Sequence, residues 1–162
     1  MGQGKNAEYS TNVGLTLGGG LLSAYNTYKQ GKEEQEYYNQ LAAANEANAT
    51  NIQIATTKQL VSLQKDATSF MNTQRTAAAA SGVTGQSVNE VVADTAAKSM
   101  LDQLTLKENA ANQVHNLYYE AGQNRLAGVK ARKAAATNTV TSLLGTAQKV
   151  SDIWYQWQKK KE

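Results

Sequence analysis

The sequence predicts an all-α protein: a long antiparallel, coiled-coil-like helical hairpin with an additional C-terminal helix. Three observations carry that prediction. The 162 residues include no proline, the residue whose ring and missing N–H most often end or kink a helix. Residues 32–80 contain neither proline nor glycine, and apolar side chains recur there every eleven positions, a period of nearly straight or slightly right-handed helix pairs. No segment alternates polar and apolar residues long enough to read as a strand.

Composition limits how such helices can pack. Hydrophobic residues make up 41%, but 25 of them are alanine, and Asn, Gln, Ser and Thr together supply 54 residues. Alanine lets helices approach closely and buries little area per residue, so a thin bundle completed by partners is expected rather than a thick monomeric core. The chain has no cysteine and one histidine, which excludes disulfides, thiol catalysis and Cys/His zinc sites.

The first element, residues 1–31, is glycine-rich and largely uncharged. Tyr9 to Tyr28 has no charged residue between Glu8 and Lys29, and its centre reads VGLTLGGGLLSAY. Its length approaches that of a membrane span, but its polar residues and glycines make it far less apolar than one. Gly14 and Gly18 form a G-x-x-x-G that permits close helix approach. Val13, Gly14, Leu15, Leu17, Gly18, Leu21, Leu22, Tyr25 and Tyr28 are the candidate membrane or oligomer contacts here.

Residues 32–128 form the hairpin. The acidic start at Glu33, Glu34 and Glu36 suits a helix N-terminus. Tyr38, Ala49, Leu60 and Met71 mark one eleven-residue line, Leu41, Ile52 and Leu63 a second, and Ala44, Ala55 and Ala77 lie close by. A turn over 81–86 contains Gly82 and Gly85, and Ser87 to Glu90 reads as a capping box. In the returning helix Val88, Val91, Val92, Met100, Leu101, Leu104, Val114, Leu117 and Tyr118 are expected inward at helical spacing.

Residues 129–162 are the basic, aromatic end. Residues 1–124 carry 8 Lys/Arg against 11 Asp/Glu, whereas 125–162 carry 8 against 2. Val140, Leu143, Ala147, Val150, Trp154 and Trp157 follow a seven-residue pattern, and the polar stretch 130–139 before it is a candidate hinge, though nothing there forces a break. Trp154, Tyr155 and Trp157 are candidate membrane or oligomer contacts. Lys130, Arg132, Lys133, Lys159, Lys160 and Lys161 are candidates for an anionic partner, either lipid headgroups or nucleic-acid backbone. No motif for sequence-specific reading accompanies them.

Catalytic chemistry has no candidate. His115 lacks a second His, a Cys or a carboxylate one turn away, and the acids Asp94, Asp102, Glu108 and Glu120 are interspersed with lysines on differing faces. The Gly82 to Ser87 segment precedes a helix but lacks the lysine and the strand of a phosphate loop. No enzymatic activity, cofactor or metal is expected, and no cleavable signal sequence is evident.

Several runs carry a resemblance. They are Gly18-Gly19-Gly20-Leu21-Leu22-Ser23-Ala24-Tyr25, Tyr28-Lys29-Gln30-Gly31-Lys32, and Tyr37-Tyr38-Asn39-Gln40-Leu41-Ala42-Ala43-Ala44-Asn45-Glu46-Ala47. Ala77 to Val83 (AAAASGV) and Leu101 to Leu106 (LDQLTL) follow in order. Over roughly residues 15–126 the chain resembles the smallest internal core, or DNA-ejection, protein of T-seven-type podoviruses. The resemblance implies a virion protein stored inside the capsid near the portal. On ejection it would join two larger ejection proteins in a conduit through the Gram-negative envelope, itself at the host outer membrane. Portal or tail proteins are the neighbours expected in the particle; the thin hairpin that needs partners leads to the expectation of a ring-like homo-oligomer, and the basic end to that of non-specific contact with phage DNA. No catalytic residue is implied, since the transglycosylase of such systems belongs to a larger partner. The rival expectation is a structural virion or tail protein that braces the portal region and never meets lipid.

Overall fold

A computed structural model describes the backbone of residues 3–159 and the side chains of residues 10–159. Two helices account for nearly all of it: α1, Gln3–Ala80, and α2, Gln86–Lys159, with no strand among the described residues. The all-α expectation holds, with one change. The C-terminal helix is the continuation of α2, which runs through 130–139 without a hinge, and the glycine-rich N-terminal run is likewise part of α1. Lys160 and Lys161 lie outside the described residues.

The turn forms where the sequence places it. Val83 N–H reaches Ala78 O at 3.0 Å and Gly82 N–H reaches Ala79 O at 3.2 Å, the paired bonds of a Schellman ending. Gly82 (φ 72°) and Gly85 (φ 102°) take the left-handed region that a side chain would oppose. The expected capping box does not form, because α2 starts at Gln86 and already contains Ser87. Gly85 instead accepts from Asn89 N–H at 3.4 Å, and Gln86 Nε2 donates to Glu90 Oε1 at 3.1 Å.

The chain divides into two compact units, residues 1–41 with 123–162, and residues 42–122. These differ from the expected divisions at 31/32 and 128/129, where the helices continue unbroken. In the second unit the inward residues of α1 include Ala49, Ile52, Leu60, Leu63 and Met71, and those of α2 include Val88, Val92, Val114 and Leu117. Gln74 Nε2 donates to Thr95 Oγ1 across the pair at 3.2 Å, and Asn45 Nδ2 donates to Glu120 Oε2 at 3.3 Å.

Several large apolar residues expected inward face solvent instead: Leu41, Val91, Met100, Leu101, Leu104 and Tyr118. The inward positions beside them belong to Ala42, Val92, Ser99, Gln103 and Leu117, and Ala44, Ala55 and Ala77 are also exposed. The reason is periodicity. The inward stripe steps strictly by three and four, so an eleven-residue repeat fixes which residue faces the partner helix whatever its size.

Threonine is tolerated in these helices because most of its hydroxyls have a local acceptor. Thr16, Thr57, Thr73, Thr105 and Thr141 donate to the carbonyl four residues back at 2.8–3.0 Å, which satisfies the side chain within its own helix. No buried side-chain nitrogen or oxygen among the described residues lacks a partner. The ion pairs Lys29–Glu33, Lys32–Glu36 and Asp94–Lys98 are exposed and one turn apart, so solvent screening leaves each with little weight in stability. The hydrogen bond from Lys98 to the Asp94 carboxylate, and their mutual attraction, raise the Lys98 pKa.

Candidate interaction surface

In the first unit the residues between the helices are small or polar. Gly20 of α1 lies against Thr146, Gly31 against Ala135, and Gly128 of α2 against Tyr38 and Gln35. Ala24 is buried, and its carbonyl lies 3.4 Å from Thr139 Oγ1, which also donates to Ala135 O at 2.7 Å. Arg132 Nη1 donates to Gln35 Oε1 at 3.0 Å. The eleven-residue repeat continues here, so Val150, Ile153 and Trp157 sit partly inward, while Val140, Leu143 and Trp154 of the expected seven-residue pattern point outward.

The large apolar side chains are on the outside. Leu15, Leu21, Leu22 and Tyr25 are 71%, 59%, 62% and 62% exposed, and Leu17, Tyr28, Val140, Leu143, Leu144, Trp154 and Tyr155 are also exposed. Val13 is half-buried, and Gly14 and Gly18 face solvent. The distribution inverts that of a soluble two-helix pair, whose apolar stripe faces inward. Close backbone approach through small residues, with large apolar residues outward, is the pattern of helices packed in an apolar medium.

Apart from Leu22, Leu144 and Tyr155 at the outer edges, most of these exposed residues lie on one or the other of two opposite faces. Leu15, Gly19 and Ser23 of α1 line one groove of about 470 Å³ together with Ser142, Gly145 and Lys149 of α2. At about 98° per residue, Leu17, Leu21, Tyr25 and Tyr28 fall on the other flank of α1, and Val140, Leu143 and Trp154 on the matching flank of α2. In an antiparallel pair, matching flanks share a side. One face is therefore a ridge of large apolar side chains, and the opposite face is a groove floored by small ones.

The helix register adds a feature that sequence reasoning missed. Residues 134–148 of α2 contain no charge between Lys133 and Lys149, and the contacts Gly20–Thr146 and Gly31–Ala135 set this run beside the uncharged stretch of α1. Counting charges along α2 reveals the run, but only the pairing shows that the two runs coincide. Lys29, Lys32, Lys130, Arg132 and Lys133 gather beyond one end of the band, with Glu33 and Glu36 pairing the two α1 lysines. Trp154, Tyr155, Trp157 and Lys159 lie toward the other end. No described helix is long and apolar enough to cross a membrane.

The second unit offers a groove of about 700 Å³ that includes Thr56, Leu60, Lys107, Val114, His115 and Tyr119. His115 finds no companion ligands there. No group of three or more His, Cys, Asp or Glu able to hold a metal occurs among the described residues.

No curated protein and no solved structure matches the chain significantly. The sequence profile of the T7 virus internal virion protein gp14 family matches residues 5–162. That match extends through the basic C-terminal region, beyond the stretch over which the helical motifs carry the likeness. The two uninterrupted helices and the ordered motifs along them thus have a common explanation: the chain belongs to the T7 virus internal virion protein gp14 family.

Proposed function

We propose that this internal virion protein leaves the particle at infection, assembles with copies of itself and with larger ejection proteins, and forms the outer-membrane part of a trans-envelope channel for the genome. The supporting observation is the inverted first unit, with glycine, alanine and threonine between its helices and leucine, tyrosine and tryptophan outside. Such a surface calls for apolar surroundings on more than one side. Protein neighbours supply them in the particle, and lipid supplies part of them after release. The outer edges of the pair carry Leu22, Leu144 and Tyr155, and these would face lipid once copies cover the broad faces. Lys130, Arg132, Lys133 and Lys159 would meet anionic headgroups or the passing DNA. The protein acts here as a scaffold and conduit wall, with no catalytic role.

The test is flotation of the purified full chain with vesicles of outer-membrane lipid composition, beside the double variant L22E/L144E. Co-flotation lost in the variant supports the membrane role. A chain that stays at the bottom of the gradient refutes it and favours the rival reading, a brace at the portal retained in emptied particles.

A further inference from the structure

The geometry points to a head-to-tail contact between copies of this chain: the ridge of Leu17, Leu21, Tyr25, Val140 and Leu143 on one copy seats in the Leu15–Gly19–Ser23/Ser142–Gly145–Lys149 groove of the next. It rests on the homo-oligomeric part of the proposed function and supplies its interface.

Four observations select a second copy as the occupant. First, ridge and groove lie on opposite faces of one unit at the same level along the helices, because Gly20 opposes Thr146 in the middle of both. Identical copies can therefore dock without an axial offset. Second, the groove floor is open: a Cβ added at Gly19 or Gly145 would meet nothing within 4 Å. The groove's volume of about 470 Å³ accommodates more than one leucine-sized side chain.

Third, the ridge carries no charged residue, so burying it desolvates none. On the groove side the one charge is Lys149, at the wall, whose long stem can cover apolar surface while the ammonium stays in water. Fourth, the areas are of comparable size. The exposed fractions of the five ridge residues, applied to side chains of roughly 150–250 Å² for the aromatics and less for the aliphatics, give on the order of 500 Å², and Tyr28 and Trp154, on the same flank at the two ends of the ridge, raise this to on the order of 700 Å². A stable interface needs about 800 Å² per partner. The whole chain exposes 11819 Å², against roughly 7,900 Å² for a compact monomer of its mass, so two such interfaces per copy fit within the excess.

Docking the ridge leaves the groove of the same copy free. The contact is therefore heterologous and propagates, closing into a ring when the rotation between copies permits.

The cysteine-free sequence makes the test direct. Leu21 and Ser23 are two residues apart on α1 but face opposite sides, so L21C and S23C cannot be bridged within one chain by a short reagent. The full-length double variant treated with a short bis-maleimide is expected to give, on a denaturing gel, a ladder of dimers, trimers and higher species, and each single variant is expected to run as the uncross-linked chain. Adding G145L, which fills the groove while replacing glycine with a better helix former, is expected to abolish the ladder with the circular-dichroism helicity retained. Dimers from L21C alone would show a two-fold ridge-to-ridge contact and overturn the proposal, as would a double variant that never cross-links or a ladder that survives G145L. Vesicle flotation separates this from the membrane reading: a ladder without flotation keeps the interface, and flotation without a ladder removes it.

Discussion

Gly31 of α1 and Ala135 of α2 meet so closely that a methyl group on Gly31 would overlap the Ala135 side chain. Gly145, less than three turns further along α2, has open space above it. The same residue type thus serves opposite ends in one unit, closeness at Gly31 and vacancy at Gly145.

Stability should separate the two. Gly31→Ala gains about 1 kcal/mol of helix propensity, but the overlap forces backbone movement that costs about 1–3 kcal/mol. The net expectation is destabilisation. Gly145→Ala gains the propensity term with no clash and is expected to be neutral or stabilising by up to about 1 kcal/mol. Urea unfolding followed by circular dichroism checks both, and equal effects would contradict the close approach at Gly31.

The turn gives a second prediction. Gly82 has φ 72°, where a Cβ costs about 1–2 kcal/mol. Gly82→Ala is expected to lower stability by about that amount, and Gly82→Asn by less, since asparagine tolerates this region. Thermal melts of the two variants would show the order, and identical melting temperatures would argue against the Schellman ending.

How far the fold was legible in the sequence follows from the same geometry. The turn at Gly82 and the line Tyr38, Ala49, Leu60 and Met71 were readable because glycine punctuation and an eleven-residue period are local signals. The inward choice of Ala42 over Leu41, or of Gln103 over Leu104, was not. Hydrophobicity favours the larger residue, whereas the register of a two-helix interface is set by the repeat taken over its whole length. Val140, Leu143 and Trp154 likewise read as a buried seam, because over the five turns from 140 to 157 the seven-residue pattern shares Val150 and Trp157 with the eleven-residue one that faces the partner helix. Each glycine of the run at 18–20 lowers helix propensity, yet Gly20 is the position that lets Thr146 approach. Of the interaction surface, the residue types were visible but not their division into ridge and groove, which depends on the pairing of residues more than a hundred positions apart.

The inward and outward assignments yield a third prediction. Leu60→Ala and Leu117→Ala remove half-buried side chains from the second unit and are each expected to cost about 1–2 kcal/mol, less than the roughly 2–5 kcal/mol of a fully buried leucine because part of each side chain is already in water. Met100→Gln and Leu104→Gln alter residues 67% and 56% exposed and are expected to stay within about 0.5 kcal/mol of the parent. Urea midpoints of the four variants decide the matter. A large loss at Met100 or Leu104 would mean that the second unit's outer face is covered in solution.

The basic cluster supplies the last prediction, because charge acts at a distance and leaves a salt signature. Arg132 is held by Gln35, and Lys130 and Lys133 flank it on α2 with no acid between them in the sequence. Each cation that neutralises a DNA phosphate releases about 0.9 counterion from a duplex, so three contacts contribute about 2.7 to the slope of log affinity against log salt. The triple variant K130Q/R132Q/K133Q is expected to bind DNA of any sequence more weakly and with a slope shallower by about 2 to 3. Anionic vesicles should show a parallel loss, since lipid phosphates attract the same cations. If DNA affinity falls and vesicle affinity does not, the cluster faces the genome rather than the membrane. An unchanged salt slope in both would show that these three cations make no anionic contact, leaving the membrane role to the apolar surface alone.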